Sequence, residues 1–116
     1  MIIIEGKEGK SKVLEDLINN RLQNRNVVII DTVGVRGMVV PKGVEHFICS
    51  RCSAESAIDI YKTGWFEEYE WIIFEINMDE EKFHYELGKF MDLDKNSTQN
   101  FIVTVQTQDE IKVRFA

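Results

Sequence analysis

One short segment of this chain combines the residue types that bind phosphate. Residues 6–11 read Gly-Lys-Glu-Gly-Lys-Ser and separate a short apolar run from a helical pattern. Phosphate oxygens need inward-pointing backbone N–H groups, glycines that let the backbone approach, a lysine as counter-charge and a hydroxyl for Mg²⁺. A turn that opens a helix can supply all of them. The segment therefore predicts an anion site formed by Gly6, Gly9, Lys10 and Ser11.

This turn resembles the phosphate loop of P-loop NTPases, and most locally that of the thymidylate-kinase-like ones. In that family the loop follows an apolar strand and ends in Gly-Lys-Ser, as Gly9, Lys10 and Ser11 do here. The family pattern is G-x-x-x-x-G-K-S, whereas this chain has G-x-x-G-K-S and is two residues shorter. If the loop keeps its full length instead, Ile4 stands in place of the first glycine. The resemblance implies the family's fold and a weak site for ATP or GTP with magnesium.

Two later segments extend the resemblance. Trp71 to Glu75 resembles the Walker B strand, which makes Glu75 the candidate catalytic residue, acting on Mg²⁺ through water or on the attacking water. Phe101 to Gln106 resembles the following sensor strand, which ends in a polar residue near the γ-phosphate. The family's acid pair is absent, because Ile76 and Asn77 follow Glu75. The alternative is a solvated turn with Ser11 as an ordinary N-cap and Glu75 facing water.

The two cysteines form a C-x-x-C motif, Cys49 and Cys52, after an apolar run and before a helical pattern. Thioredoxin-like proteins lower a thiol pKa in this position, but they also need a later proline, and the only proline here, Pro41, lies upstream. His46 and the distant His84 could complete a zinc set, although structural zinc sites usually have two ligand pairs. With no secretion signal, we expect both cysteines to be reduced, metal-free and dispensable.

Strands and helices that alternate along the chain must position these residues. Buried strands are predicted from the apolar runs at Ile2–Ile4, Val27–Ile30, Ile72–Ile76 and Ile102–Val105, with shorter ones near Met38–Val40 and His46–Cys49. Helical segments separate the main runs, so right-handed crossovers should make them parallel. Ile111, Val113 and Phe115 alternate with basic residues, as in an edge strand. We expect a three-layer α/β/α domain with a mostly parallel sheet of about five or six strands and an antiparallel C-terminal edge.

Three helices are predicted from apolar stripes and caps. In the first helix the stripe is Leu14, Leu17, Ile18 and Leu22, and Ser11 is the expected N-cap. In the second helix the stripe is Ala54, Ala57, Ile58 and Tyr61; Ser53 precedes it, and the helix ends near Gly64. The third helix starts at Asp79, has a hydrophobic staple of Met78 and Phe83, and is expected to bury Leu87, Phe90 and Met91. In each case a residue type that caps helices, serine or aspartate, comes before the helical stripe.

Length and charge restrict the class of protein. The chain has 116 residues, enough for one domain, and no apolar run long enough to span a membrane. These features predict a soluble cytoplasmic protein. A net charge of −6 disfavours direct nucleic-acid binding. Residues 55–94 hold twelve acids against three bases, which predicts that this part faces water or a basic partner.

Two functions remain open. The first is a small non-catalytic P-loop-like protein that acts as an interaction or regulatory module for a protein partner, for instance a phage- or plasmid-encoded regulator of a larger ATPase. The second is a nucleotide-binding protein or NTPase that uses Gly9, Lys10 and Ser11 for phosphate and Glu75 for magnesium. The loss of loop length favours the first.

Overall fold

The computed structural model describes residues 1–32, 40–41, 43–49, 53–76 and 80–116, and the side chains of 80–84 lie outside that description. The elements are β1 (Ile2–Gly6), α1 (Lys10–Arg21), β2 (Val27–Asp31), β3 (Glu45–Ile48), α2 (Ala54–Tyr61), β4 (Trp71–Glu75), α3 (Glu80–Lys95), β5 (Asn100–Gln106) and β6 (Lys112–Phe115). The strand expected around Met38 and the cap and staple expected at Met78, Asp79 and Phe83 lie outside the described residues.

The strands form one six-stranded sheet in the order β3-β2-β4-β5-β1-β6. The first five strands in that order are mutually parallel, and β6 runs antiparallel to β1 at the edge. The α/β class, the parallel arrangement and the antiparallel C-terminal edge are therefore confirmed. Because β1, β2, β4 and β5 are parallel, their carboxyl ends all lie at the same edge of the sheet.

Alternate residues of the central strands supply two apolar cores, one on each face of the sheet. On one face, residues such as Ile30, Phe74 and Phe101 pack under α2 and α3. On the other face, residues such as Ile29 and Ile73 pack under Leu14 and Ile18 of α1. A strand covered on both faces must be apolar at every position. This explains why Val27–Ile30 and Ile72–Phe74 read as continuous apolar runs.

The first helix begins differently from the expectation. Its N-cap is Gly9, in the left-handed conformation with φ 88°, and not Ser11, which lies inside the first turn. Glycine adopts this conformation without the steric cost that a Cβ atom would impose. The hydroxyl of Ser11 is therefore directed to another partner, described below. In α2 the expected cap is confirmed, because the Ser53 side chain accepts a hydrogen bond from the backbone N–H of Ser56 at 3.1 Å.

The third helix buries a slightly rotated face. Phe90 is fully buried and Leu87 and Leu93 pack beside it, whereas Met91 is 45% exposed. The expectation that Met91 continues the buried stripe is wrong, because Leu93 takes that place. None of the helices in the described part of the chain has both the length and the apolar character needed to cross a bilayer.

Candidate functional site

The turn after β1 is short and closely packed. Only Lys7, Glu8 and Gly9 separate the last residue of β1 from the first residue of α1. A Cβ atom on Gly6 would lie 2.8 Å from the Cα atom of Ile111, so only glycine allows this approach of the two backbones. The N–H of Lys7 also donates to the carbonyl of Asp109 at 3.0 Å. The segment that leads into β6 thus fixes the start of the turn.

Lys10 points back into this turn. Its Nζ donates to the carbonyl of Gly6 at 2.9 Å and to Oε1 of Gln106 at 2.6 Å. Gln106 ends β5, and its amide N–H group donates in turn to the carbonyl of Lys7 at 3.1 Å. Burial lowers the pKa of Lys10, and the negative charge of Glu75 opposes that shift. The turn, the lysine and Gln106 therefore hold one another through polar contacts made within the chain.

A second polar contact joins α1 to β4. The hydroxyl of Ser11 donates to Oε1 of Glu75 at 3.3 Å. The other carboxylate oxygen, Oε2, is buried and has no hydrogen-bond partner among the described residues. Burial raises the pKa of Glu75, and the nearby Asp31 raises it further, while Ser11, His46 and Lys10 act in the opposite direction. A proton or a cation bound to Oε2 would stabilise a carboxylate in this environment.

Asp31 and His46 form an acid–base pair that the sequence analysis did not group. Asp31 is 2% exposed, and its Oδ2 lies 3.0 Å from Nε2 of His46. The register of β2 against β4 puts Asp31 next to Glu75. A signal for this was present, because Val27–Ile30 followed by Asp31 repeats the pattern of Trp71–Phe74 followed by Glu75. Two parallel strands that each end in an acid bring those acids to the same edge.

Two threonines fix the backbone where Glu75 leaves the sheet. Thr32 donates to the carbonyl of Glu75 from its N–H at 3.0 Å and from its hydroxyl at 3.3 Å. Thr104, which is buried in β5, accepts the N–H of Ile76 at 3.2 Å. The backbone that carries the Glu75 carboxylate is therefore held by hydrogen bonds to β5 and to the residue that follows β2.

All five site residues expected from the sequence lie at the same edge of the sheet, but they form two centres. Gly6, Gly9 and Lys10 belong to the turn that Gln106 closes, and Ser11 and Glu75 form the second centre beside it. The second centre fits a hard divalent cation, since a hydroxyl and a carboxylate with a free buried oxygen are ligands of the type that Mg²⁺ prefers. In the turn, the ammonium of Lys10 is already bound to the Gly6 carbonyl and to Gln106.

The cysteine expectation is partly tested. Cys49 is disulfide-bonded, so the expectation of a reduced thiol there is wrong. That expectation was based on the lack of a second ligand pair and of a later proline, which bear on zinc binding and redox activity and not on whether the two sulfurs are paired. Cys52 and the side chain of His84 lie outside the described residues. Within the described ranges, no three histidine, cysteine or carboxylate side chains are grouped so that they could hold a metal ion.

The raised pKa of Glu75 predicts a pH signature for Glu75→Gln. Between the ordinary pKa and the raised one, the folded protein binds more protons than the unfolded chain, so its stability falls as pH rises. The variant lacks this titration. We expect the unfolding free energy of Glu75→Gln, relative to wild type, to increase from about pH 4 upward and then level off.

Urea denaturation at a series of pH values measures this difference. Glu68→Gln is the control, because Glu68 is exposed and the variant makes the same chemical change away from the buried Oε2 of Glu75. A Glu75→Gln difference that stays constant or decreases with pH would contradict the buried, proton-binding carboxylate.

No protein-family model matches this chain, and no curated protein is significantly similar to it.

Proposed function

We propose that this chain is a P-loop-like domain that acts as a non-catalytic interaction or regulatory module. One observation carries the proposal. The ammonium of Lys10, the group that would contact phosphate, is bound instead to the Gly6 carbonyl and to Gln106. The partner is another protein, for which a larger ATPase is our candidate.

The strand arrangement supports the P-loop-like part of this proposal. β1 leads through a glycine-containing turn into α1, and β4 ends in Glu75, a half-buried acid that contacts the first turn of α1. β5 lies between these two strands and brings Gln106 to the lysine. Ligands of open parallel sheets bind at the carboxyl ends of the strands. These parts therefore stand where a nucleotide site would be expected.

The length of the turn supports the non-catalytic part. A turn of three residues offers few backbone N–H groups, and each charge-assisted hydrogen bond that is missing costs on the order of 1.5–3 kcal/mol, or about tenfold or more in affinity. A phosphate would also have to displace Gln106 from Lys10. Weak binding of sulfate or phosphate at the start of α1 is still compatible with the helix dipole.

One observation favours the second candidate, a nucleotide-binding protein or NTPase. The pair of Ser11 and Glu75 has the composition of a magnesium site, and Oε2 of Glu75 is buried without a partner among the described residues. A bound cation would satisfy that oxygen. In this candidate Gly9, Lys10 and Ser11 hold phosphate and Glu75 serves the magnesium ion.

Titration with ATP and GTP, with and without Mg²⁺, separates the two candidates. Amide chemical shifts report the affinity, and release of phosphate reports turnover. We expect no turnover and a Kd on the order of 1 mM or weaker, with Lys10→Ala close to wild type. Lys12→Ala is the matched control, because Lys12 lies on the same helix and forms an exposed ion pair with Asp16. Micromolar, Mg²⁺-dependent binding that only Lys10→Ala abolishes would favour the second candidate.

A further inference from the structure

The outer edge of the sheet at β6 is open. All four residues of β6 are exposed, including Val113 at 44% and Phe115 at 80%. Within the described ranges, no strand lies on the outer side of β6. An exposed edge strand presents unpaired N–H and C=O groups that can pair with another chain. β6 therefore has the first property of a surface that binds an extended segment.

The backbone of β6 shows which groups face outward. Met1 and Ala116 exchange two hydrogen bonds, from the N–H of Ala116 at 3.0 Å and from the terminal ammonium of Met1 at 3.3 Å. In an antiparallel pair, residues that bond to the neighbouring strand alternate with residues that point away from it. The backbone N–H and C=O groups of Lys112 and Arg114 therefore point toward β1. The N–H and C=O groups of Val113 and Phe115 face outward.

The side chains of β6 divide between the two faces of the sheet. Phe115 lies opposite Ile2 and Val113 opposite Ile4, so both continue the apolar surface on the side of α1. Lys112 lies opposite Glu5 on the other face, where the guanidinium of Arg114 is 3.5 Å from a Glu5 carboxylate oxygen. A partner strand would therefore meet apolar side chains on one face and basic ones on the other.

A second copy of this chain fits the edge poorly. A two-fold axis centred on Val113 places Lys112 opposite Arg114 of the other copy, and one centred on Arg114 places the two arginines opposite each other; these two registers pair the most residues of β6. Like charges directly opposite each other destabilise a sheet, whereas opposite charges stabilise it. The charge of this edge therefore favours a strand with acids at those positions and apolar residues at the positions between them.

We propose that β6 binds an extended segment of another protein in which apolar and acidic residues alternate, and that this segment adds a seventh strand to the sheet. Backbone bonds to Val113 and Phe115 would supply affinity. Because Arg114 is paired with Glu5, the exposed Lys112 would select the acidic side chains. This inference deepens the proposed interaction module and rests on it, because it names the chemistry of the partner.

Two labelled peptides test the inference with the full chain. One alternates glutamate and valine, and the other alternates lysine and valine. We expect fluorescence anisotropy to show binding of the acidic peptide, and about tenfold weaker binding or none for the basic peptide. Lys112→Glu should reduce or reverse this preference.

Val113→Pro tests the backbone contact. It removes an outward N–H without removing a bond to β1, and proline is tolerated on edge strands. We expect it to weaken acidic-peptide binding by about tenfold or more, while Val113→Thr, which keeps the N–H group, retains binding. Circular dichroism and the unfolding midpoint verify that both variants are folded.

Four results would overturn the inference: binding of neither peptide, equal affinity for the two peptides, binding that Val113→Pro leaves unchanged, or a dimer that Val113→Pro dissociates in a chain that binds neither peptide. The last would identify a second copy as the occupant. Failure of the peptides to bind while nucleotide affinity stays weak would remove this inference alone. Micromolar nucleotide binding would instead remove the proposed function and leave the peptide result standing.

Discussion

Phe74→Ala is expected to destabilise the protein by about 3–5 kcal/mol, a large fraction of the stability of an ordinary domain. Phe74 is fully buried near the carboxyl end of β4. Its ring centroid lies 4.9 Å from that of Phe90, 6.0 Å from that of Phe101 and 6.1 Å from that of Tyr61. Truncation therefore removes the ring that joins the sheet to both α2 and α3. Urea denaturation followed by tryptophan fluorescence measures the loss.

Phe115→Ala is the matched control for this prediction. The same truncation on the exposed edge strand should change the unfolding free energy by about 0.5 kcal/mol or less, since Phe115 is 80% exposed. Equal losses in the two variants would contradict the placement of the aromatic core under α2 and α3.

Gly6→Ala is expected to destabilise the protein by about 1–3 kcal/mol through overpacking. The new Cβ atom would lie 2.8 Å from the Cα of Ile111 and 3.2 Å from its Cβ. Because the closest atom belongs to the backbone, rotation of a side chain cannot relieve the contact. The β1 end or the segment before β6 has to move, and the hydrogen bond from Lys10 to the Gly6 carbonyl would be strained with it.

Gly88→Ala gives the opposite sign and serves as the control. Gly88 lies in α3, and a Cβ atom there meets nothing within 4 Å. Alanine favours helix over glycine by about 0.5–1 kcal/mol, so this variant should be more stable than wild type. Thermal unfolding of both variants measures the difference, and a Gly6→Ala protein as stable as Gly88→Ala would contradict the close approach at Ile111.

The class of fold could be predicted because its signals are local and repeated. Runs such as Val27–Ile30 are apolar at every position, which only a strand covered on both faces requires. Helical stripes between these runs require crossovers, and crossovers make neighbouring strands parallel. The alternation of Val113 and Phe115 with basic residues likewise indicated an edge. The order of the strands in the sheet could not be predicted from local patterns, because it depends on which strands each crossover passes.

The site could be predicted only in part. The spacing grouped Gly6, Gly9, Lys10 and Ser11, and the apolar run before it singled out Glu75; the structure brings these residues to one end of the sheet, and their roles stay predictions. The pairing of Lys10 with Gln106 joins residues that are 96 positions apart, and it depends on β5 lying next to β1. The approach of Asp31 to Glu75 and to His46 depends on strand register in the same way.

The predictions that Ser11 caps α1 and that Met91 is buried were wrong for related physical reasons. Ser11 has the right residue type for an N-cap, but the left-handed Gly9 starts the helix two residues earlier and leaves the hydroxyl to Glu75. Met91 fits the helical period as well as Leu93 does, and only the position of α3 on β5 decides which of them is buried. Tertiary contacts, and not the local sequence pattern, determine which residue caps a helix and which one is buried.

We propose that the turn between β1 and α1 is too short, and its lysine too well bound by Gly6 and Gln106, to hold a nucleotide tightly. The unfolding free energy of the wild-type chain, measured with and without 1 mM Mg-ATP, tests it directly. A ligand that binds the folded state stabilises it by RT ln(1 + [L]/Kd). A Kd of about 1 mM or weaker predicts an increase of about 0.4 kcal/mol or less. An increase near 4 kcal/mol, which corresponds to a Kd of about 1 μM, would contradict the account.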